Sequence, residues 1–272
     1  MNSTSLTKLQ RATLASLLLF TAQTQAGLFG SSPAGHIGKD GCLYKDATLK
    51  VRIPTEENVI AIDQSEAFSP THKDQVKQLL TSRLLDDQEV PVGSHITVYA
   101  FGRDDFKADG SGQSLSPTLS LCKPRQDGNE WTENVKKIQH RFQKEFLDKV
   151  SLEIDKATGT VSGGRSPIME TVQFISNEAN IRLGSVGKAK HLVLVSDLLQ
   201  NSEGYSDYSS LRPKQLEAPA SLHANLDGWQ IKALTIRRYG KDQKIQTPEH
   251  QQSWKIWFEK CGAAKSEFTV IP

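Results

Sequence analysis

From residue 57 to its end, the chain alternates between two patterns of hydrophobic positions. Short apolar or alternating runs predict strands at 59–62, 95–101, 114–122, 191–196, 229–236 and 268–271. Between them, apolar residues recur every three or four positions, which predicts helices that begin at Pro70 and Pro167 and helices over 131–150 and 248–261. This alternation predicts a three-layer α/β fold, in which a doubly wound, mostly parallel sheet of about six strands carries helices on both faces.

The first 26 residues have the pattern of an export signal. Lys8 and Arg11 give a basic start, an uncharged stretch with a leucine-rich centre covers Ala12–Ala22, and small residues precede a cleavage position after Ala26. We expect cleavage there and a mature protein in the periplasm or outside the cell. The apolar stretch is shorter than the roughly 20 residues that span a bilayer, so we expect no stable membrane anchor after cleavage.

The balance of charged residues bears on whether the protein binds nucleic acid. The chain has 33 Lys and Arg against 31 Asp and Glu, and the excess lies in the first 26 residues. Because the remainder is neutral and has no long basic cluster, we expect no nucleic-acid binding. Residues 27–56 contain five glycines and little periodicity. The predicted division is therefore a signal peptide (1–26), a loop-rich extension (27–56) and one α/β domain (57–272).

Three cysteines bear on the covalent structure: Cys42, Cys122 and Cys261. In an oxidising compartment, three cysteines predict one disulfide and one free thiol. The residues alone leave all three pairings open.

Oxygen-bearing side chains follow the predicted strands where parallel strands end. Asp63 and Ser65 follow the first strand, Asp197 follows strand 191–196, and Ser166 comes directly after a glycine-rich turn. Ligands of doubly wound sheets bind outside the carboxyl ends of the strands, and carboxylates and hydroxyls are ligands that Mg²⁺ prefers. These four side chains are therefore a candidate metal site. The alternative is that they cap helices and turns.

The order of these residues resembles the von Willebrand factor A-type (VWA) domain. The metal-ion-dependent adhesion site of that family uses an Asp-x-Ser-x-Ser loop after the first strand, a Thr in a later glycine-rich loop and an Asp after the fourth strand. Here Asp63-Gln64-Ser65-Glu66-Ala67 resembles the first loop, Gly163-Gly164-Arg165-Ser166-Pro167 resembles the second with Ser in the Thr place, and Asp197 ends the third segment.

The resemblance implies a Mg²⁺ site, with Mn²⁺ or Ca²⁺ as alternatives, made by Asp63, Ser65, Ser166 and Asp197. The site is degenerate, because Ala67 stands where the family has its second serine. Ser69, two residues further on, is a candidate substitute for that hydroxyl.

The resemblance also implies an order of strands. The strand that ends at Cys122 is expected at one edge of the sheet and the strand that follows Cys261 at the other. A bond between these two cysteines would have to cross the whole sheet, so Cys42 is the expected partner in any disulfide, with Cys122 slightly preferred as the other.

Three functions are compatible with these residues. The first, which the resemblance implies, is a non-enzymatic, exported protein-binding module in which an acidic residue of another protein completes the metal shell. The second is a scaffold or assembly protein that keeps the fold without the ion and binds through other loops, such as 201–224. The third is a metal-dependent hydrolase that uses Asp63 and Asp197, although the sequence offers no evident general base or second set of metal ligands.

Overall fold

The computed structural model describes residues 36–48, 52–53, 56–102, 105–106, 115–183, 189–209 and 218–272, and the structural statements below refer to these residues. The predicted export signal and the first part of the extension lie outside them. Within the described ranges, no helix combines the length and the apolar character needed to cross a membrane.

The strands of the described residues form two sheets. In chain order they are β1 (His36–Ile37), β2 (Leu43–Tyr44), β3 (Glu57–Asp63), β4 (His95–Phe101), β5 (Leu119–Cys122), β6 (Lys190–Ser196), β7 (Trp229–Ile236) and β8 (Lys265–Ile271). β1 and β2 form a small antiparallel hairpin, and the other six form the central sheet in the order β5-β4-β3-β6-β7-β8. All neighbours in the central sheet are parallel except β5, which is antiparallel to β4. The predicted sheet is confirmed, with the Cys122 strand and the strand after Cys261 at opposite edges.

Helices cover both faces of this sheet. They are α1 (Pro70–Leu85), α2 (Val135–Arg141), α3 (Asp148–Gly159), α4 (Ile168–Leu183) and α5 (Pro248–Lys260), and a π-helical segment, Phe142–Leu147, joins α2 to α3 without a break. Side chains alternate along β3, so that Val59 and Ala61 pack in the core under α4 and α5. Ile60 and Ile62 pack in the core under α1 and α3. The three-layer prediction is therefore confirmed.

Several predicted boundaries are wrong, among them the start of the strand predicted over 268–271, which begins at Lys265. The helix predicted over 131–150 begins at Val135 and runs to Gly159. It begins there because the Asn134 side chain caps it by accepting a hydrogen bond from the Lys137 amide. Trp131 precedes this cap and is 95% exposed. The strand predicted over 114–122 begins at Leu119, and Ser114 lies outside the described residues. Pro117, two residues before Leu119, has no amide hydrogen to donate to a neighbouring strand.

The disulfide joins Cys42 to Cys122, with 5.0 Å between their Cα atoms. Cys261 is a free, buried cysteine. The slightly preferred pairing is thus confirmed. The bond ties the end of edge strand β5 to the segment that contains the β1–β2 hairpin.

Candidate functional site at the carboxyl edge of the sheet

The ends of β3 and β6 bring two aspartates to one edge of the sheet. The strands are parallel neighbours, with Ile62 opposite Val195, so Asp63 and Asp197 both lie at this edge, with Asp197 one position further along its strand. Both carboxylates are buried, at 2% exposure each. The predicted meeting of the strand-end acids therefore occurs in the structure.

Ser166 reaches the same point from the loop before α4. Its hydroxyl donates a hydrogen bond to Oδ2 of Asp63 at 2.5 Å. Gly163 and Gly164 bend this loop with φ values of 69° and 83°, a region that glycine enters without the steric cost of a Cβ. Ser166 is then held to the loop after β6 by two backbone hydrogen bonds with Asn201, both of 2.9 Å.

Asp63 accepts two further hydrogen bonds. Oδ1 accepts the Ser65 amide at 2.9 Å, and Oδ2 also accepts the Ser196 hydroxyl at 2.7 Å. Sequence reasoning missed Ser196, although it is the last residue of β6 and therefore lies beside Asp63 in the parallel register. Three hydrogen bonds thus fix the position of this buried carboxylate.

Ser65 is a predicted site residue whose side chain takes no part in these hydrogen bonds. It is 6% exposed, and its hydroxyl makes no hydrogen bond to any residue that the structure describes. Ser65, Ser166 and Asp197 line one cavity of about 250 Å³ at this edge. Asp63 lies behind this lining, under the serine hydroxyls.

Asp197 is bound to a cation supplied by the chain itself. The Nε of Arg238 donates to Oδ2 of Asp197 at 2.8 Å, and an Nη nitrogen donates to the carbonyl of Ala67 at 2.9 Å. The Arg238 guanidinium also lies 3.4 Å from a carboxylate oxygen of Glu66. With 8% exposure, Arg238 is part of the site rather than of the surface.

Sequence reasoning also missed Arg238. It follows β7 by two residues, and β7 is the neighbour of β6, so a charged residue there is expected at the Asp197 edge. Gln246 fixes this position, because its side chain accepts the Arg238 amide and donates to the Asp197 carbonyl, both at 2.8 Å. The sequence feature that could have identified Arg238 is its position after β7, because β3 and β6 have aspartates at the corresponding place.

Negative charge remains in excess at this edge. Burial raises the pKa of Asp197 to about 7, and the charge of Asp63 acts in the same direction, whereas Arg238 and the Leu199 amide oppose it. Burial also raises the pKa of the Tyr208 phenol, and the neighbouring charge of Asp197 adds to the effect. Burial is the larger cause of both shifts, and the neighbouring carboxylates add to it.

In this arrangement the residues do not fit a divalent ion. Ala67 offers no side-chain oxygen, and the Ser69 hydroxyl is used to cap α1 by accepting the His72 amide at 3.1 Å. The Asp197 carboxylate already holds Arg238. No group of three or more His, Cys, Asp or Glu side chains that could hold a metal occurs in the described ranges. The Mg²⁺ site stays a prediction for titration to test.

Comparisons with known proteins give little further information. No family model and no curated protein matches the sequence. A solved aerotolerance-related membrane protein from Bacteroides fragilis NCTC 9343, with multiple mutations to serines, aligns at 9% identity and a TM-score of 0.39, over 80% of this chain and 92% of that chain. The conserved hypothetical protein BatB from Bacteroides thetaiotaomicron aligns at 14% identity and a TM-score of 0.36, over 79% and 91% of the two chains.

A third solved structure is the pilus adhesin SpaC from Lactobacillus rhamnosus GG in its open conformation. It aligns at 15% identity and a TM-score of 0.42, over 80% of this chain but 28% of the adhesin. Similarities at this level carry no argument about function. The functional proposal therefore rests on the geometry of the site.

Proposed function

We propose that the chain is an exported protein-binding module that binds its partner at the carboxyl edge of the sheet without a divalent cation. The observation that carries the proposal is the ion pair between Arg238 and Asp197, at 2.8 Å and almost completely buried. Arg238 supplies the positive charge that the VWA resemblance assigns to a metal. A divalent ion beside it would bring two cations together in a poorly solvated site, which is unfavourable.

The size and lining of the cavity support a protein partner. Sites for small organic ligands are commonly about 300–1,000 Å³ and mostly apolar. The cavity here holds about 250 Å³ and is lined largely by charged and hydroxyl-bearing residues. It is therefore suited to a single polar side chain that a larger partner inserts.

The contacts at the two aspartates do not favour the hydrolase hypothesis. Asp63 accepts three hydrogen bonds from the protein, and Asp197 is bound to Arg238 and to the Leu199 amide. A hydrolytic site needs a carboxylate that can take a proton from water or hold a catalytic metal. Every oxygen of the two carboxylates already accepts at least one hydrogen bond from the protein.

The test is affinity capture with the mature protein, residues 27–272, from an extract of the source organism, once in MgCl₂ and once in EDTA. We expect the same captured partner in both. The variant Glu66→Lys reverses one charge on the cavity lining and should abolish capture, whereas Glu130→Lys, at an exposed position away from the cavity, should not.

Two outcomes would contradict the proposal. Loss of capture in EDTA would restore the cation-dependent hypothesis. Capture that is unchanged by Glu66→Lys would place the binding surface away from this cavity. Export is checked separately, by mass spectrometry of the exported protein, which should begin at Gly27.

A further inference from the structure

Carboxylates outnumber cations at the cavity. Glu66, Asp197 and Asp242 line it, and Asp63 lies behind it. One buried guanidinium, Arg238, serves both Asp197 at 2.8 Å and Glu66 at 3.4 Å. A single internal cation therefore faces four carboxylates.

The other cations near the cavity do not reverse this balance. Arg165 lines the cavity, but it pairs with Glu203, which is not part of the lining, at 2.5 Å. Lys241 also lines the cavity and is exposed, so water screens its charge more than that of the buried acids. With Asp63 and Arg238 included, four carboxylates thus face three cations, so the residues of the cavity carry a small excess of negative charge.

Two oxygen atoms in the cavity lining have no partner among the described residues. The first is the hydroxyl of Ser65, a residue with 6% exposure; this hydroxyl makes no hydrogen bond to a described residue and keeps some contact with the cavity solvent. The second is Oδ1 of Asp242, which is buried and likewise has none. Buried polar atoms usually have a hydrogen-bond partner, and both of these oxygens can accept a hydrogen bond.

We propose that this cavity takes a basic side chain, the ammonium of a lysine or the guanidinium of an arginine, from the bound protein. The inference rests on the proposed function. Such a group has several hydrogen-bond donors and no acceptor. It can therefore donate to the side-chain oxygens of Asp242, Glu66 and Ser65 at the same time. The aromatic ring of Tyr208, which also lines the cavity, provides a surface that attracts cations.

The charge expected for the partner's side chain is opposite to the one that the VWA resemblance implies. There, an acidic residue of the partner completes a metal shell. Here, an incoming carboxylate would meet Glu66 and Asp242 with no metal between them, and like charges at close range repel. The partner should therefore present a lysine or an arginine, and not an aspartate or a glutamate.

The experiment measures ¹H–¹⁵N NMR shifts of the mature protein during titration with three probes: the N-acetyl amides of arginine, lysine and glutamate. We expect the arginine and lysine probes to shift the amides of Ser65, Leu199 and Asp242, and the glutamate probe to leave them unchanged. The variant Asp242→Asn should bind the basic probes about tenfold more weakly, because it removes a charged acceptor.

A matched control is Asp155→Asn. It removes the charge of an exposed carboxylate on α3 that forms an ion pair with Lys77 of α1. It should bind the basic probes as the wild type does. Glu66→Gln is a second cavity variant at a half-exposed position, so weaker binding there supports the proposal even where Asp242→Asn fails to fold.

A competition arm ties the probe to the partner. Arginine amide should displace the protein captured by the wild type, whereas glutamate amide should not. Binding of the glutamate probe, or no binding of any probe by a protein that still captures its partner, overturns this inference and leaves the proposed function intact. Binding of the basic probes without any captured protein points to a small cationic ligand, and it overturns both.

Discussion

Arg238 and Asp197 form a buried ion pair of 2.8 Å between the ends of two neighbouring strands, β7 and β6. The guanidinium also donates to the Ala67 carbonyl, so it links three loops at the carboxyl edge. This relationship is the basis on which we propose a metal-free site.

Removal of Arg238 should create a cation site that the wild type lacks. In the double variant Arg238→Ala/Ala67→Ser, Asp197 loses its internal cation and the second hydroxyl of the VWA pattern is restored. We expect this variant to bind Mg²⁺ and to melt at a higher temperature in MgCl₂ than in EDTA, because a ligand that binds the native state stabilises it. Isothermal titration should give no heat of binding with wild type, and Ala67→Ser alone is the control. Sub-millimolar Mg²⁺ binding by the wild type would contradict the prediction.

Asp63 should be important for stability. The variant Asp63→Ala leaves two buried serine hydroxyls, Ser166 and Ser196, without their acceptor. We expect the free energy of unfolding to fall by about 2–4 kcal/mol, since each orphaned buried group costs about 1–3 kcal/mol. Ser166→Ala, which removes one donor, should cost about 1 kcal/mol. Chemical denaturation measures both values, and an Asp63→Ala variant as stable as wild type would contradict the assignment.

Asp197 should make stability depend on pH. Its pKa is raised to about 7 in the folded state, above an ordinary value of 3.8, so the folded state binds the proton more tightly than the unfolded state does. The contribution of this group is therefore fully present below about pH 4 and is lost as the pH rises to about 7. We expect the wild type to lose stability relative to Asp197→Asn over that window. A constant difference between the two unfolding free energies from pH 4 to pH 7 would show that the pKa is not raised.

The disulfide should contribute measurably to stability. Cys42 and Cys122 are 80 residues apart, and closing a loop of that length stabilises by about 2–5 kcal/mol. Reduction, or the variant Cys42→Ser, should lower the free energy of unfolding by an amount in this range. Peptide mapping of the unreduced protein should recover Cys42 joined to Cys122, and recovery of Cys122 joined to Cys261 would refute the assignment.

The sequence contained enough information for the fold and for part of the site. Buried apolar runs identify strands because they are hydrophobic on both faces, and parallel strands place Asp63 and Asp197 at one edge. Ser196 and Arg238 depend on register and on strand order, which hydrophobic periodicity does not encode. The start of α2 depends on the cap at Asn134, a local hydrogen bond that outweighs the apolar spacing from Trp131.

The disulfide and the cavity lie at opposite ends of the strands. Cys122 pairs with His95 and His95 with Glu57, which begins β3, whereas the cavity lies beyond Asp63. Seven residues of strand separate the two ends by roughly 20 Å. A pulling force between the Cys42 segment and a bound partner would therefore act along the strands. It would shear many interstrand hydrogen bonds at once instead of opening them one after another, so the domain would resist mechanical load in this direction.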